Sequence, residues 1–135
     1  MLSPFFQVCV NGDLEIIETF FKHAKIIINN RDVQGRTALH YTANMCNNPE
    51  VIDLLIKNGF DINIQDYEGK TPLICAVMSK KTDNVKTLLK YPQIDTNIKD
   101  NKKFAAMDYA IRYDQNNQLT TALANASINV IQNNW

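Results

Sequence analysis

Residues 37–70 read TALHYTANMCNNPEVIDLLIKNGFDINIQDYEGK, and their pattern returns when the chain is shifted by 34 positions. Asn29, Asn63 and Asn97 fall in line at that shift, as do Asp32, Asp66 and Asp100, and Gly35 with Gly69. Ser3-Pro4-Phe5, Thr37-Ala38-Leu39, Thr71-Pro72-Leu73 and Ala105-Ala106-Met107 share the same spacing. Four registers at one constant period describe stacked copies of one supersecondary unit.

The chemistry of one unit predicts its shape. Thr37 stands before an apolar run and can cap a helix with its hydroxyl. Thr71-Pro72 adds proline at the first helical position, where its missing N–H costs nothing. Ala43, Ala76 and Ala110 supply small side chains for close helix approach. Asn48-Pro49-Glu50 opens a second helix, and Val51, Leu54, Leu55 and Ile56 give it a broad apolar face. Gly59 ends that helix in one unit, and Pro92 ends it in the next. The segment Asp61–Asp66 reads as extended, and Asp66-Tyr67-Glu68-Gly69 carries turn chemistry. Each unit is therefore expected to be helix, turn, helix and a hairpin-like finger.

Working outward, the 135 residues bound the chain to a single domain or a short array. Apolar residues make up 45% and charged residues 21%, ordinary values for a globular chain. Fourteen acidic and fourteen basic residues cancel, so no basic excess draws it to nucleic acid or anionic lipid. Residues 1–67 hold 8 acids and 5 bases (net −3), and residues 68–135 hold 6 acids and 9 bases (net +3). Lysines 80, 81, 86, 90, 99, 102 and 103 lie in the positive half and read as a solvated face. Cys9, Cys46 and Cys75 are odd in number and widely spaced, which reads as free thiols in a reducing compartment. Pro4, Gln7 and Asn11 interrupt the apolar start and argue against a signal peptide. No apolar run is long enough to span a membrane.

The repeats resemble the ankyrin family. Its pattern, D-x-x-G-x-T-P-L-H-x-A-A, a loop glycine, E-I-V-x-L-L-L and G-A-D-V-N, is matched by three stretches. They are Asp32-Val33-Gln34-Gly35-Arg36-Thr37-Ala38-Leu39-His40, then Glu50-Val51-Ile52-Asp53-Leu54-Leu55-Ile56, then Gly59-Phe60-Asp61-Ile62-Asn63. The match extends over roughly residues 3–125. It implies an all-α repeat solenoid with short hairpin-like fingers. The units are residues 3–36 (an N-terminal cap), 37–70, 71–104 and 105–126 (a C-terminal cap), followed by a tail over 127–135 that ends in Trp135. The last unit departs from the pattern, with Lys103 for the finger glycine and Asp108 for the histidine. The family period is usually one residue shorter, so the loops at Asn44–Pro49, His23–Ile26 and Tyr91–Ile94 are expected to absorb the extra residue.

No phosphate-binding loop, GxSxG elbow or HExxH occurs, so neither an enzyme nor a metal or cofactor site is expected. His40 is a decoy: the resemblance makes it a structural partner of Thr37. Cys75 reads as a small core residue, and His23 as a surface residue. The resemblance places protein binding on a concave surface of fingers and first helices. Carried over position by position, the partner-facing residues are Val33, Gln34, Arg36, Asn44 and Met45, then Tyr67, Glu68, Lys70, Met78 and Ser79, then Asn101, Lys102, Phe104, Arg112 and Tyr113. Tyr67, Tyr113, Met45 and Met78 would be apolar anchors, and Arg36, Lys70 and Arg112 would steer acidic groups. The expected partner is a protein, with neither nucleic acid nor membrane, and the unbound chain is expected to be monomeric and cytoplasmic. Leu55…Asp61-Ile62-Asn63 also fits the family's asparaginyl hydroxylase acceptor pattern, which marks Asn63. Two further readings are an inhibitor of a cyclin-dependent kinase and a viral inhibitor of a Rel-type transcription factor. Seventeen Asn and fifteen Ile suggest an AT-rich coding genome. That composition fits an effector of an intracellular bacterium, a virus or a protist, acting on host proteins in the cytosol or nucleus.

Overall fold

The structure, a computed structural model, describes residues 2–23 and 30–133. Asn29, Trp135 and residues 24–26 of the His23–Ile26 loop, named above for the repeat register, the tail and the extra residue of the period, lie outside these residues. Among the described residues the chain forms α1 (Pro4–Asn11), α2 (Leu14–His23), α3 (Ala38–Met45), α4 (Glu50–Lys57), α5 (Pro72–Met78), α6 (Thr82–Leu89), α7 (Ala106–Tyr113) and α8 (Gln118–Asn133). The odd-numbered first helices stack on one another, α1 on α3 on α5 on α7. The even-numbered second helices form a parallel layer behind them. This is the all-helical repeat solenoid implied by the period.

The caps act where the residue types place them. Ser3 Oγ accepts the Phe6 N–H at 3.2 Å, and Pro4 follows it at the helix start. Thr71 Oγ1 accepts the Ile74 N–H at 3.2 Å, with Pro72 next. Asn48 rather than Pro49 opens α4, its side-chain oxygen accepting the Glu50 N–H at 3.2 Å. The Asn48 amide donates to the Gly12 carbonyl of the preceding unit at 3.1 Å, so this cap also joins two repeats.

The core runs the length of the stack through Ile17, Leu39, Ile52, Leu55, Leu73, Ile74, Val85, Leu88 and Leu123, all fully buried. The first unit is sealed by an aromatic cluster. Phe5 meets Phe21 edge-on at 5.5 Å and stacks on Phe60 at 6.3 Å.

Three local expectations change. Residues 61–64 turn rather than extend, because Asp61 Oδ1 accepts the Asn63 N–H at 2.9 Å and closes an Asx turn. Among the described residues the fingers contain turns and no strand. α8 continues to Asn133, well past residue 126, where the repeat spacing placed the end of the last unit.

Lys103 stands where the other fingers have Gly35 and Gly69, and it shares their left-handed backbone, with φ 71° against 76° and 82°. A side chain in that region is strained. Lys103→Gly is therefore expected to raise stability by about 0.5–1 kcal/mol, net of glycine's greater unfolded-state freedom, read as a higher urea midpoint.

Candidate interaction surface

Each finger is organised by its aspartate. Asp32 Oδ1 accepts the N–H groups of Gln34 and Arg36, both at 2.9 Å, and Asp66 Oδ1 does the same for Glu68 and Lys70. Asp100 Oδ1 accepts from Lys102 and Phe104 at 2.9 and 3.1 Å. The second carboxylate oxygen of Asp32 accepts the Tyr41 hydroxyl, and that of Asp100 accepts the Tyr109 hydroxyl. Burial alone would raise the pKa of Asp32 and Asp100, but these donated hydrogen bonds outweigh it and hold both carboxyls below the usual 3.8.

Successive fingers pair through one backbone bond each. The Tyr67 N–H donates to the Gln34 carbonyl at 3.0 Å, and the Asn101 N–H donates to the Glu68 carbonyl at 2.9 Å. Arg31 reinforces the ladder, its guanidinium donating to the carbonyls of Gly35 at 2.8 Å and Gln65 at 2.7 Å.

His40 joins helix to finger. Its Nδ1 must accept, because the Thr37 N–H at 3.1 Å can only donate. Its Nε2–H therefore donates to the Lys70 carbonyl at 2.9 Å. The ring thus fixes the next finger, 30 residues on, as well as its own helix start. In the last unit Asp108 takes over the local half of this role, accepting the Ala105 N–H at 2.8 Å.

Burial, the larger effect, pushes the His40 pKa below 6.5 against smaller upward pulls from Lys70 and Asp66. A lowered folded-state pKa means that the unfolded chain binds the proton more tightly. The stabilisation is complete above pH 6.5 and drains away as the pH falls through that value toward the folded pKa. A urea midpoint that drops as the pH falls below 6.5 is expected for wild type. His40→Asn keeps an acceptor for the Thr37 N–H, and its midpoint is expected to be lower but flatter across that window.

The surface residues divide into three groups. Tyr67 is 64% exposed and Met45 45% exposed. The Tyr67 ring lies so close on Gly35 that a Cβ there would sit 2.5 Å from it, and the Arg31 guanidinium stands 5.9 Å from the ring centroid. Tyr67 is thus held in place while most of it faces solvent.

Lys102 and Arg112 are exposed and make no ion pair among the described residues. Arg36, Glu68 and Lys70 are instead engaged internally. Arg36 reaches Asp66 at 3.5 Å and Glu68 at 4.0 Å, and Lys70 reaches Glu68 at 3.3 Å. With Asp66 they form a charge-balanced cluster, so the free positive charge on this face lies at Lys102 and Arg112.

Met78 and Tyr113 are half-buried against the core, and Tyr113 stacks on Tyr109 at 6.3 Å. Phe104 meets Tyr109 edge-on at 5.6 Å and keeps one side open. The Ser79 hydroxyl donates to the Asn44 side-chain oxygen, so these two positions satisfy each other. Asn63 bridges to the next unit, donating to the Gln93 carbonyl at 2.8 Å and accepting the Asp95 N–H at 2.9 Å.

Ile111 was missed by the position-by-position reading, yet it is 69% exposed. Its counterparts Ala43 and Val77 are fully buried under the following unit. Comparing that register for apolar residues in the last unit would have found it.

Cys9, Cys46 and Cys75 are free and buried. Burial pushes the Cys9 and Cys75 thiols up to about 12, which keeps them unreactive near neutrality. The described residues bring together no group of His, Cys, Asp and Glu side chains able to hold a metal ion, and no described helix is long and apolar enough to cross a membrane.

A family model described as ankyrin repeats (3 copies) matches residues 2–66 and 43–134. The chain belongs to the ankyrin-repeat family. Ankyrin repeats make it a protein-interaction module. Among curated proteins it is similar to an IkB-like protein of African swine fever virus, 32% identical over 117 residues, covering 81% of this chain and 49% of that protein. It therefore spans about half the length of that relative. It is also similar to an ankyrin repeat protein of Acanthamoeba polyphaga mimivirus, 30% identical over 134 residues, covering 95% of this chain and 18% of that protein. A third similarity, to a fowlpox virus ankyrin repeat protein, is 53% identical over 45 residues, covering 33% of this chain and 10% of that protein.

Proposed function

We propose that this ankyrin array binds a partner protein non-covalently through its face of fingers and first helices. The observation that carries the reading is Tyr67, clamped between Gly35 and Arg31 with most of its ring in solvent. A pre-positioned aromatic loses little entropy on contact, which is what interface anchors require. Met45 and the open side of Phe104 extend the apolar area, and Lys102 and Arg112 favour an acidic rim on the partner. Tyr67→Ala is expected to weaken the complex by about 1–3 kcal/mol, measured by titration calorimetry. Its urea midpoint is expected to shift by less than about 1 kcal/mol in stability terms, because the ring packs on the finger at Gly35 and not on the apolar core between the helices. A melted Tyr67→Ala protein with intact binding would reject the surface assignment.

The viral relatives favour a narrower reading, a viral effector that acts on host proteins in the cytosol or nucleus. The similarity to the IkB-like proteins favours a Rel-type transcription factor over a kinase as the target. A pull-down against both target classes tests it: retention of the kinase alone would overturn it. Asn63 is read as an acceptor for asparaginyl hydroxylation. Its two amide hydrogen bonds must open first, and the modification would appear as a gain of one oxygen at that residue by mass spectrometry.

A further inference from the structure

At one aligned position of the three complete finger-to-helix units the first and third carry a tyrosine, Tyr41 and Tyr109, and the second carries Cys75. Both tyrosine hydroxyls donate to the second carboxylate oxygen of their own finger aspartate. Cys75 has no ring and cannot reach. Asp66 Oδ2 consequently finds no donor within hydrogen-bond range among the described residues, although its side chain is only 1% exposed. Arg36 Nε is buried beside it at 3.5 Å and is equally without an acceptor, the pair being an ion contact too long for a hydrogen bond.

The residue before each helix cap normally covers the missing ring's position. Arg36 lies over Tyr41 at 5.7 Å and Phe104 packs on Tyr109 at 5.6 Å. In the middle unit the residue at that position, Lys70, has only Cys75 in the ring's place. A pocket of about 230 Å³ opens beside Cys75 on the proposed binding face, lined by Arg36, His40, Lys70, Cys75 and Met78 among others; Asp66 is not on its wall and is in contact with one of its lining residues, Arg36.

We propose that this pocket accepts a phenol, the side chain of a tyrosine contributed by the partner protein, in place of the ring that the middle repeat lacks. The hydroxyl would donate to Asp66 Oδ2 and accept from Arg36 Nε, giving both buried atoms a partner through one group. Arg36 must shift to admit it, and that side chain, 23% exposed, is held by ion contacts of 3.5 and 4.0 Å and by its place over the Tyr41 ring at 5.7 Å, with no hydrogen bond to either carboxylate. A phenylalanine would fill the volume and leave Asp66 Oδ2 without a donor. The inference rests on the binding-face reading above and names the chemistry that the middle of that face selects.

The test uses the whole chain and three probes: N-acetyl-tyrosinamide, N-acetyl-phenylalaninamide and p-cresol. Amide chemical shifts are followed by NMR in wild type and in Cys75→Tyr. The expected result is a saturable shift centred on Asp66 and Cys75. The phenylalanine amide should bind at least about tenfold more weakly than the tyrosine amide, the loss of two hydrogen bonds to charged groups. Cys75→Tyr should abolish the response and raise the melting midpoint by about 3 °C or more, more than Cys75→Phe does. Equal affinity for the two amides, or no response at the pocket, overturns the proposal using wild type alone. Binding of p-cresol without the tyrosine amide overturns the assignment to a partner side chain. If the probes fail while Tyr67→Ala still abolishes partner binding, the pocket falls and the face remains. If the probes bind while Tyr67→Ala leaves the complex intact, the pocket remains and the wider face falls.

Discussion

Replacing Leu39 with alanine is expected to destabilise the protein by about 2–5 kcal/mol, the largest single-residue effect in the molecule. Leu39 is fully buried in α3, the helix that packs on α1 before it and α5 after it. Truncation removes transfer free energy and leaves a cavity at a junction that cannot collapse without moving both neighbours. Stability in a stacked array is close to a sum of unit and nearest-neighbour terms, so a defect in an interior unit weakens two interfaces. Met107 holds the same register in the last unit and is only partly buried. Met107→Ala should cost less than Leu39→Ala, and urea denaturation of the two variants side by side checks the order.

The second large effect is expected at Asn84, buried near the start of α6. Its Nδ2 donates to the carbonyls of Cys46 at 2.8 Å and Ala43 at 3.1 Å, with Thr42 more distant at 3.4 Å. The Ala43 and Cys46 carbonyls lie at the end of α3, where backbone acceptors lack intrahelical partners, whereas Thr42 already accepts the Cys46 N–H at 3.0 Å. One side chain therefore caps the first helix of the preceding repeat. Asn84→Ala should cost about 1–3 kcal/mol, since buried acceptors lose their donor. Asn84→Asp is expected to be worse than alanine, because a carboxylate would face the same carbonyls. An aspartate variant as stable as wild type would show that the cap contributes nothing.

What could be read from the chain alone follows from how local each signal is. The 34-residue period, the Ser3-Pro4 and Thr71-Pro72 helix starts and the apolar face around Leu55 depend on residues within one or two turns. Their consequences appear in the structure as read. The Asp61 turn was missed because alternating apolar and polar residues over 61–66 imitate a strand, while a single Asx hydrogen bond decides the outcome. Asn84 and the far bond of His40 act across 30 or more residues, and no pattern within a unit shows them. Arg36 looked free as a surface position, but its counter-charges Asp66 and Glu68 lie on the next finger. The Tyr41, Cys75 and Tyr109 alignment was visible in the sequence. Its meaning appeared only once the second carboxylate oxygen of each aspartate could be followed to a hydroxyl.

The central claim is that the face of fingers and first helices holds a partner protein. Affinity capture from host-cell lysate with wild type and a Tyr67→Ala/Met45→Ala variant tests it most directly, with circular dichroism establishing equal helicity of the two baits. The account predicts a protein retained by wild type at moderate salt and lost from the variant. A protein retained equally by both baits would contradict it, because the two side chains assigned as anchors of that face would then contribute nothing to binding.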